Sequence, residues 1–209
     1  MARRSTREHI VDVAIALFNE RGTAAVSTNH IAEAAGISPG NLYYHFRNKE
    51  EIILQAYERA LCAYDQAWAN AGTAPPSPHT ILELLEETFG AQWRYRFLQR
   101  EMSWLVQTNE ALRVRYRDVM HKRLAYYQGL IRAWIAAGIC QPLPDAQLDD
   151  LVLASWVVGE QWLTYLEAMG EATDEQAIRR GGRLILEVFR PHLIDLEERS
   201  SVAAKGPAS

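Results

Sequence analysis

Residues 27–49, Ser-Thr-Asn-His-Ile-Ala-Glu-Ala-Ala-Gly-Ile-Ser-Pro-Gly-Asn-Leu-Tyr-Tyr-His-Phe-Arg-Asn-Lys, specify two short helices joined by a tight turn. Ser27 is placed to cap the first helix. Ile31, Ala32 and Ala35 give it an apolar face, and Gly36 supplies a left-handed stop. Ser38 caps a second helix with Pro39 at its first helical position. Leu42 and Phe46, four apart, anchor that helix and turn Gly40, Asn41, Tyr44 and His45 outward. Two adjacent tyrosines and a histidine on an exposed surface do little for folding. The pattern is that of a helix-turn-helix DNA reader, thin enough for the major groove and with small or polar groups near its N-terminus.

The chemistry expected of this segment divides by residue. Asn41 has the amide that pairs with an adenine edge, Gly40 allows close backbone approach, and Tyr44 reaches a base or a phosphate; Ser38 and Pro39 begin the same helix. Ser27, Thr28, Tyr43, His45 and Lys49 fit phosphate contacts, which fix register without reading sequence, and Asn29 is a further expected DNA contact. A plainer reading stays open for some of them, with Tyr43 as core and Ser27 and Ser38 as caps alone.

Upstream, Ser5 and Glu8 have capping-box spacing, and Ile10, Val13, Ala14, Leu17 and Phe18 form a helical stripe closed by Gly22. Together these make a three-helix head over 1–47. Asn48 caps a fourth helix that runs to about residue 71 and ends in the Pro-rich stretch 72–78. Helical periodicity follows at about 80–95, 97–107, 110–138, 145–169 and 174–198, with Thr80, Asn109, Asp145 and Thr173 as caps. No strand pattern competes, so the expected class is all-α: a helix-turn-helix head, a larger helical body over 48–199, and a disordered tail over 200–209.

Composition excludes more than it assigns. The two cysteines, Cys62 and Cys140, lie far apart in sequence, and the six histidines form no HxxxH or HExxH pair. There is no phosphate-cradling glycine loop and no GxSxG elbow, so no catalytic set, metal site or cofactor is readable. No signal peptide or apolar run of membrane-spanning length is present, and a reducing cytoplasm is the expected compartment. The net charge of −4 looks wrong for a DNA binder until it is divided. Residues 1–50 hold six Lys/Arg against five Asp/Glu, and 51–209 hold sixteen against twenty-one. A slightly basic arm, with Arg3, Arg4 and Arg7, thus precedes an acidic body.

Ile31-Ala32, Ala35-Gly36, Leu42-Tyr43-Tyr44-His45-Phe46 and Lys49-Glu50 resemble the N-terminal signature of TetR-family bacterial repressors, over roughly the first 50 residues. The resemblance implies a homodimeric regulator on a palindromic operator, released by a small-molecule effector held in the body. Trp68, Phe89, Trp93, Phe97, Trp104, Met120, Tyr127, Trp134, Trp156 and Glu160 are the expected pocket residues, with a largely apolar or aromatic effector. Plain core remains the alternative for each aromatic. Glu160, inside the most apolar helix, needs a partner: an arginine such as Arg132, an effector, or its twin across a dimer seam. The helix over 148–166 is apolar on more than one side, and with the final helix it would build an intersubunit four-helix bundle. Leu151, Ser155, Gly159, Trp162, Leu166, Leu184 and Val188 are the expected seam. A ligand-independent or partner-controlled DNA-binding regulator and a helical enzyme stand as the rival readings.

Overall fold

The computed structural model describes residues 5–69 and 77–194, and within them every regular element is helical. The helices are α1 Thr6–Arg21, α2 Thr28–Ala34, α3 Pro39–His45, α4 Lys49–Ala69, α5 Pro78–Arg94, α6 Arg96–Thr108, α7 Glu110–Ala136, α8 Asp145–Ala168 and α9 Glu175–Phe189, followed by a 3-10 turn at Arg190–His192. Arg3, Arg4, the tail over 200–209 and most of the proline stretch lie outside the described residues.

Local signals account for the head. The Ser5–Glu8 capping box closes the start of α1, and Ser27 and Ser38 cap α2 and α3. Gly22 and Gly36 end their helices at φ 77° and 67°, a region in which a side chain is strained. Asn48 Oδ1 accepts from Glu51 N at 2.9 Å to start α4. The apolar stripe of α1 differs in part from the expected one. Ile10, Ala14 and Phe18 are buried, but Val11 and Ile15 are buried with them while Val13 and Leu17 are only half-buried. The face has turned because α1 packs on α2, α4 and α6, not on the helix-turn-helix alone.

The chain forms two compact units. One takes in Met1–Asn70 and Glu87–Asp118, and the other Ala71–Glu86 and Val119–Ser209. In the first, Phe18, Ile31, Leu42, Phe46, Ile52 and Phe97 are fully buried. The Phe18 and Phe97 rings lie 5.2 Å apart. Arg59 ties α4 to α1 through Asp12 Oδ1 at 2.7 Å, and Arg115 is half-buried and pairs with Glu58 and Asp118.

In the second unit α8 packs along α9, and Trp134, Leu148, Val152, Leu163 and Leu166 are buried. The strand-like pairing of Cys140 with Leu193 fastens the end of α7 to the chain beyond α9. Burial pushes the Cys140 thiol up.

Three caps fall elsewhere than the sequence suggested. Ser77 caps α5 by accepting from Thr80 N, Asp174 caps α9 by accepting from Ala177 N, and α8 begins on Pro144 with Asp145 already inside the helix. Asn109 does cap α7. The last helix stops at Phe189 because Pro191 cannot continue it.

Phe18→Ala removes a fully buried ring facing Phe97, and urea unfolding is expected to show a loss of about 3–5 kcal/mol.

Candidate nucleic-acid interface

The first reader helix starts on a reciprocal cap and the second on a one-way cap. Ser27 Oγ accepts from His30 N at 3.2 Å while His30 Nδ1 accepts from Ser27 N at 3.3 Å, and Ser38 Oγ accepts from Asn41 N at 3.2 Å. Leu42 and Phe46 are buried, so the rest of α3 faces out. Pro39, Gly40 and Asn41 are exposed, Tyr43 is half in solvent, and Tyr44 is 84% exposed with its ring edge-on to His45 at 5.1 Å. Asn29 and Ser27 are exposed at the start of α2, and Thr28 is half-buried. Thr28 Oγ1 and Tyr43 OH share a hydrogen bond of 3.0 Å. The two expected phosphate contacts therefore meet across the α2–α3 corner, and Tyr43 is a bridge, not core.

Lys49 is placed differently from its neighbours. Its Nζ donates to the carbonyls of Thr23 at 2.7 Å and Val26 at 3.0 Å, so its ammonium is bound within the head. Arg47, which the sequence reading passed over, has a side chain 90% exposed and only a long 3.8 Å ion pair to Glu51. Its position just beyond α3 was the available signal. Arg7 is committed elsewhere, over the Phe46 ring at 4.5 Å and to Gln55 Oε1 at 2.6 Å.

The expected effector residues divide between the units. In the first, Trp68 donates from Nε1 to Thr88 Oγ1 at 3.0 Å, and Trp93 is covered by the Arg96 guanidinium at 4.6 Å. Phe89 and Phe97 are buried packing, whereas Trp104 is 59% exposed. A cleft of about 570 Å³ beside α1 is lined by Asp12, Ile15, Ala16, Asn19, Arg94, Tyr95 and Arg96, none of them expected. In the second unit Trp134 is buried, Met120 is half-buried, and the Tyr127 and Trp156 rings lie 5.9 Å apart.

Glu160 follows Trp156 by one turn. Burial pushes its carboxyl up to about 7, an effect that the charge of Arg123 opposes without cancelling. Arg132, the arginine expected beside it, pairs with Asp145 at 3.1 Å instead.

The expected seam residues are largely used inside the protomer. Trp162 and Leu166 are buried, with Trp162 Nε1 donating to Ala177 O at 2.8 Å. Ser155 Oγ donates to Val152 O, and a side chain at Gly159 would touch Ile185 of α9. Leu151, Leu184 and Val188 are half-buried. What α8 leaves outside is a different row: Leu153, Val157, Tyr165 and Met169.

Residues 10–56 match the family model described as bacterial regulatory proteins, tetR family, and residues 57–200 match the TetR model described as a bacterial transcriptional repressor. The chain belongs to the TetR family. A TetR-family transcriptional regulator from Marinobacter aquaeolei VT8 superposes with a TM-score of 0.83 at 31% identity, covering 96% of this chain and 97% of that one. The HTH-type transcriptional regulator AcrR of Shigella flexneri is 40% identical over 55 residues, 26% of each chain. The HTH-type transcriptional regulator UidR of Escherichia coli K12 is 36% identical over 89 residues, 41% of this chain and 45% of its own. These two matches thus span about a quarter and under half of the relatives' lengths. The ketosteroid transcriptional regulator KstR2 of Mycobacterium tuberculosis, at 20% identity and a TM-score of 0.65 over 92% of this chain and 97% of its own, shares the fold. Among the described residues no helix is long and apolar enough to cross a membrane.

Tyr44→Ala is expected to weaken duplex DNA binding about tenfold, read by fluorescence anisotropy, while the melting temperature moves by less than about 2 °C. For Glu160 burial holds the folded carboxyl up at about 7 against an ordinary 4.5. Below 4.5 both folded and unfolded chains are protonated and its stability contribution is intact. As pH rises toward 7 the unfolded chain ionises first and stability falls, by at most about 3 kcal/mol. Glu160→Gln should flatten that slope in pH-dependent thermal melts.

Proposed function

We propose that this TetR-family chain is a sequence-specific DNA-binding transcriptional regulator, a repressor whose head over 1–47 reads an operator and whose body over 48–199 dimerises and takes a small effector. The observation that carries this reading is α3: seven residues anchored by Leu42 and Phe46, presenting Pro39, Gly40, Asn41 and Tyr44 outward. A helix entering the major groove by its N-terminal end puts the Asn41 amide at a base edge, where it can take an adenine bidentately, and Gly40 adds no bulk. Ser27 and Asn29, exposed at the start of α2, and Arg47, exposed just beyond the end of α3, suit phosphates. Regulation of DNA places the protein in the cytoplasm.

Dimerisation is supported by the apolar row Leu153, Val157, Tyr165 and Met169, which a lone protomer leaves in water. Two heads related by a two-fold axis call for a palindromic operator with half-sites about 34–36 Å apart. The effector is small and largely apolar or aromatic, and its binding lowers operator affinity. Linkage then obliges the operator to weaken effector binding by the same factor. The burial of Phe89, Phe97 and Trp134 as packing favours a second reading, in which the body is solid and a partner protein controls the head.

Selection of random duplexes on the purified protein, followed by footprinting, tests the reading. The expected result is an inverted repeat with two protected half-sites. A folded protein that enriches no sequence overturns it, and a single half-site removes the dimer. With the repeat in hand, release of the labelled duplex by a small aromatic or acyl compound supports the effector, and release only by a protein supports the second reading.

A further inference from the structure

The turn between α1 and α2 is gripped from two directions. On one side Glu101 of α6 accepts the Thr23 N–H on both carboxylate oxygens, at 3.0 and 3.1 Å, and also accepts the Thr23 hydroxyl on Oε2. On the other, Lys49 at the first position of α4 donates from Nζ to the carbonyls of Thr23 and Val26. Thr23 is therefore bound through its N–H, its hydroxyl and its carbonyl. The carboxylate comes so close that a Cβ at Gly22 would stand 2.9 Å from Glu101 Oε1.

One turn before Glu101 on the same helix, Phe97 packs on Phe18 of α1. Apolar contact attaches the two helices but is non-directional, so it tolerates sliding and rotation. Hydrogen bonds of fixed length and angle do not. The geometry divides the work accordingly: Phe97 and Phe18 join α6 to α1, and Glu101 sets the register of the turn. That register passes on at once, because Val26 directly precedes Ser27, the cap of α2, and Thr28 is bonded to Tyr43 on α3.

We infer that Glu101, together with Lys49, is a positioning residue for operator recognition: it fixes where the start of α2 and the face of α3 stand, without itself touching DNA. The inference rests on the DNA-binding reading above. It also gives Lys49 a role that does not require a phosphate.

The test compares wild type, Glu101→Ala and Glu101→Gln on the duplex selected by the wild-type protein and on a scrambled duplex of equal length, with circular dichroism to confirm folding. Glu101→Ala should lower operator affinity about tenfold, the size of one charge-assisted hydrogen bond, while affinity for the scrambled duplex stays within about twofold. Glu101→Gln keeps one acceptor oxygen at the same reach and should recover most of the loss. A folded Glu101→Ala protein with unchanged operator affinity overturns the inference, as does an equal fall on both duplexes. If the alanine variant does not fold, Thr23→Ala, which deletes only the hydroxyl partner, should reduce the operator-to-scrambled ratio about threefold; an unchanged ratio there overturns it. A wild-type protein that prefers no duplex removes the DNA-binding reading, and this inference with it, whereas a preference retained equally by all variants removes the inference alone.

Discussion

A seven-residue helix does not hold itself together in water. Nucleating the first turn is costly, and isolated helices shorter than about 12–15 residues are marginal even in favourable sequences. Both α2 and α3 are seven residues long, so their existence depends on what caps and buries them. Ser27, His30 and Ser38 satisfy N–H groups at their starts, and Ile31, Leu42 and Phe46 are withdrawn from water. Burial of those few side chains leaves Pro39, Gly40, Asn41 and Tyr44 of α3 facing outward. The short length that makes the helix dependent also makes it a thin probe.

That dependence extends into the chain after the head. Asn19 near the end of α1 is held by three bonds: its amide donates to Arg94 O, its Oδ1 accepts from Phe97 N, and its carbonyl accepts from Arg100. Asn109, while capping α7, donates to Glu50 O in the first turn of α4. The contact-defined unit containing the head accordingly runs through α4 and takes in α6 and the start of α7. A three-helix head of 47 residues has a small core, and these polar fastenings give it a fixed seat.

What could be read from the sequence was what is decided locally. Caps and stops at Ser5, Gly22, Ser27, Gly36, Ser38, Asn48 and Asn109 involve partners three or four residues away, so spacing reveals them. Anchors such as Leu42 and Phe46 follow from helical period alone. Partners 78 residues away, as Glu101 is from Thr23, or 26 and 23 away, as Thr23 and Val26 are from Lys49, leave no periodic trace, which is why Lys49 read as a phosphate contact. The helix over 148–166 was legible as apolar on more than one side, but not which side α9 would take. Trp162 and Leu166 turned inward once α9 was laid beside them, and the outward row fell on Leu153, Val157, Tyr165 and Met169. Glu160 was legible as a misplaced charge, yet its neighbour is Arg123 and not Arg132, because Asp145 at the start of α8 claims the latter.

Many of the fastenings of the head share a further property: they run from a side chain to a main-chain atom. Asn19, Arg100, Lys49 and Asn109 each reach a peptide carbonyl, and Glu101 reaches a peptide N–H. A peptide group is present whatever residue bears it. Arg94, Val26 and Glu50 can therefore change identity and still offer the same acceptor, and Thr23 keeps its N–H in any residue but proline. The burden of specification falls on one partner of each pair. Drift at Arg94, Val26 and Glu50 is cheap, drift at the side-chain end is not, and a head of this kind can diversify its surface while its seat stays in place.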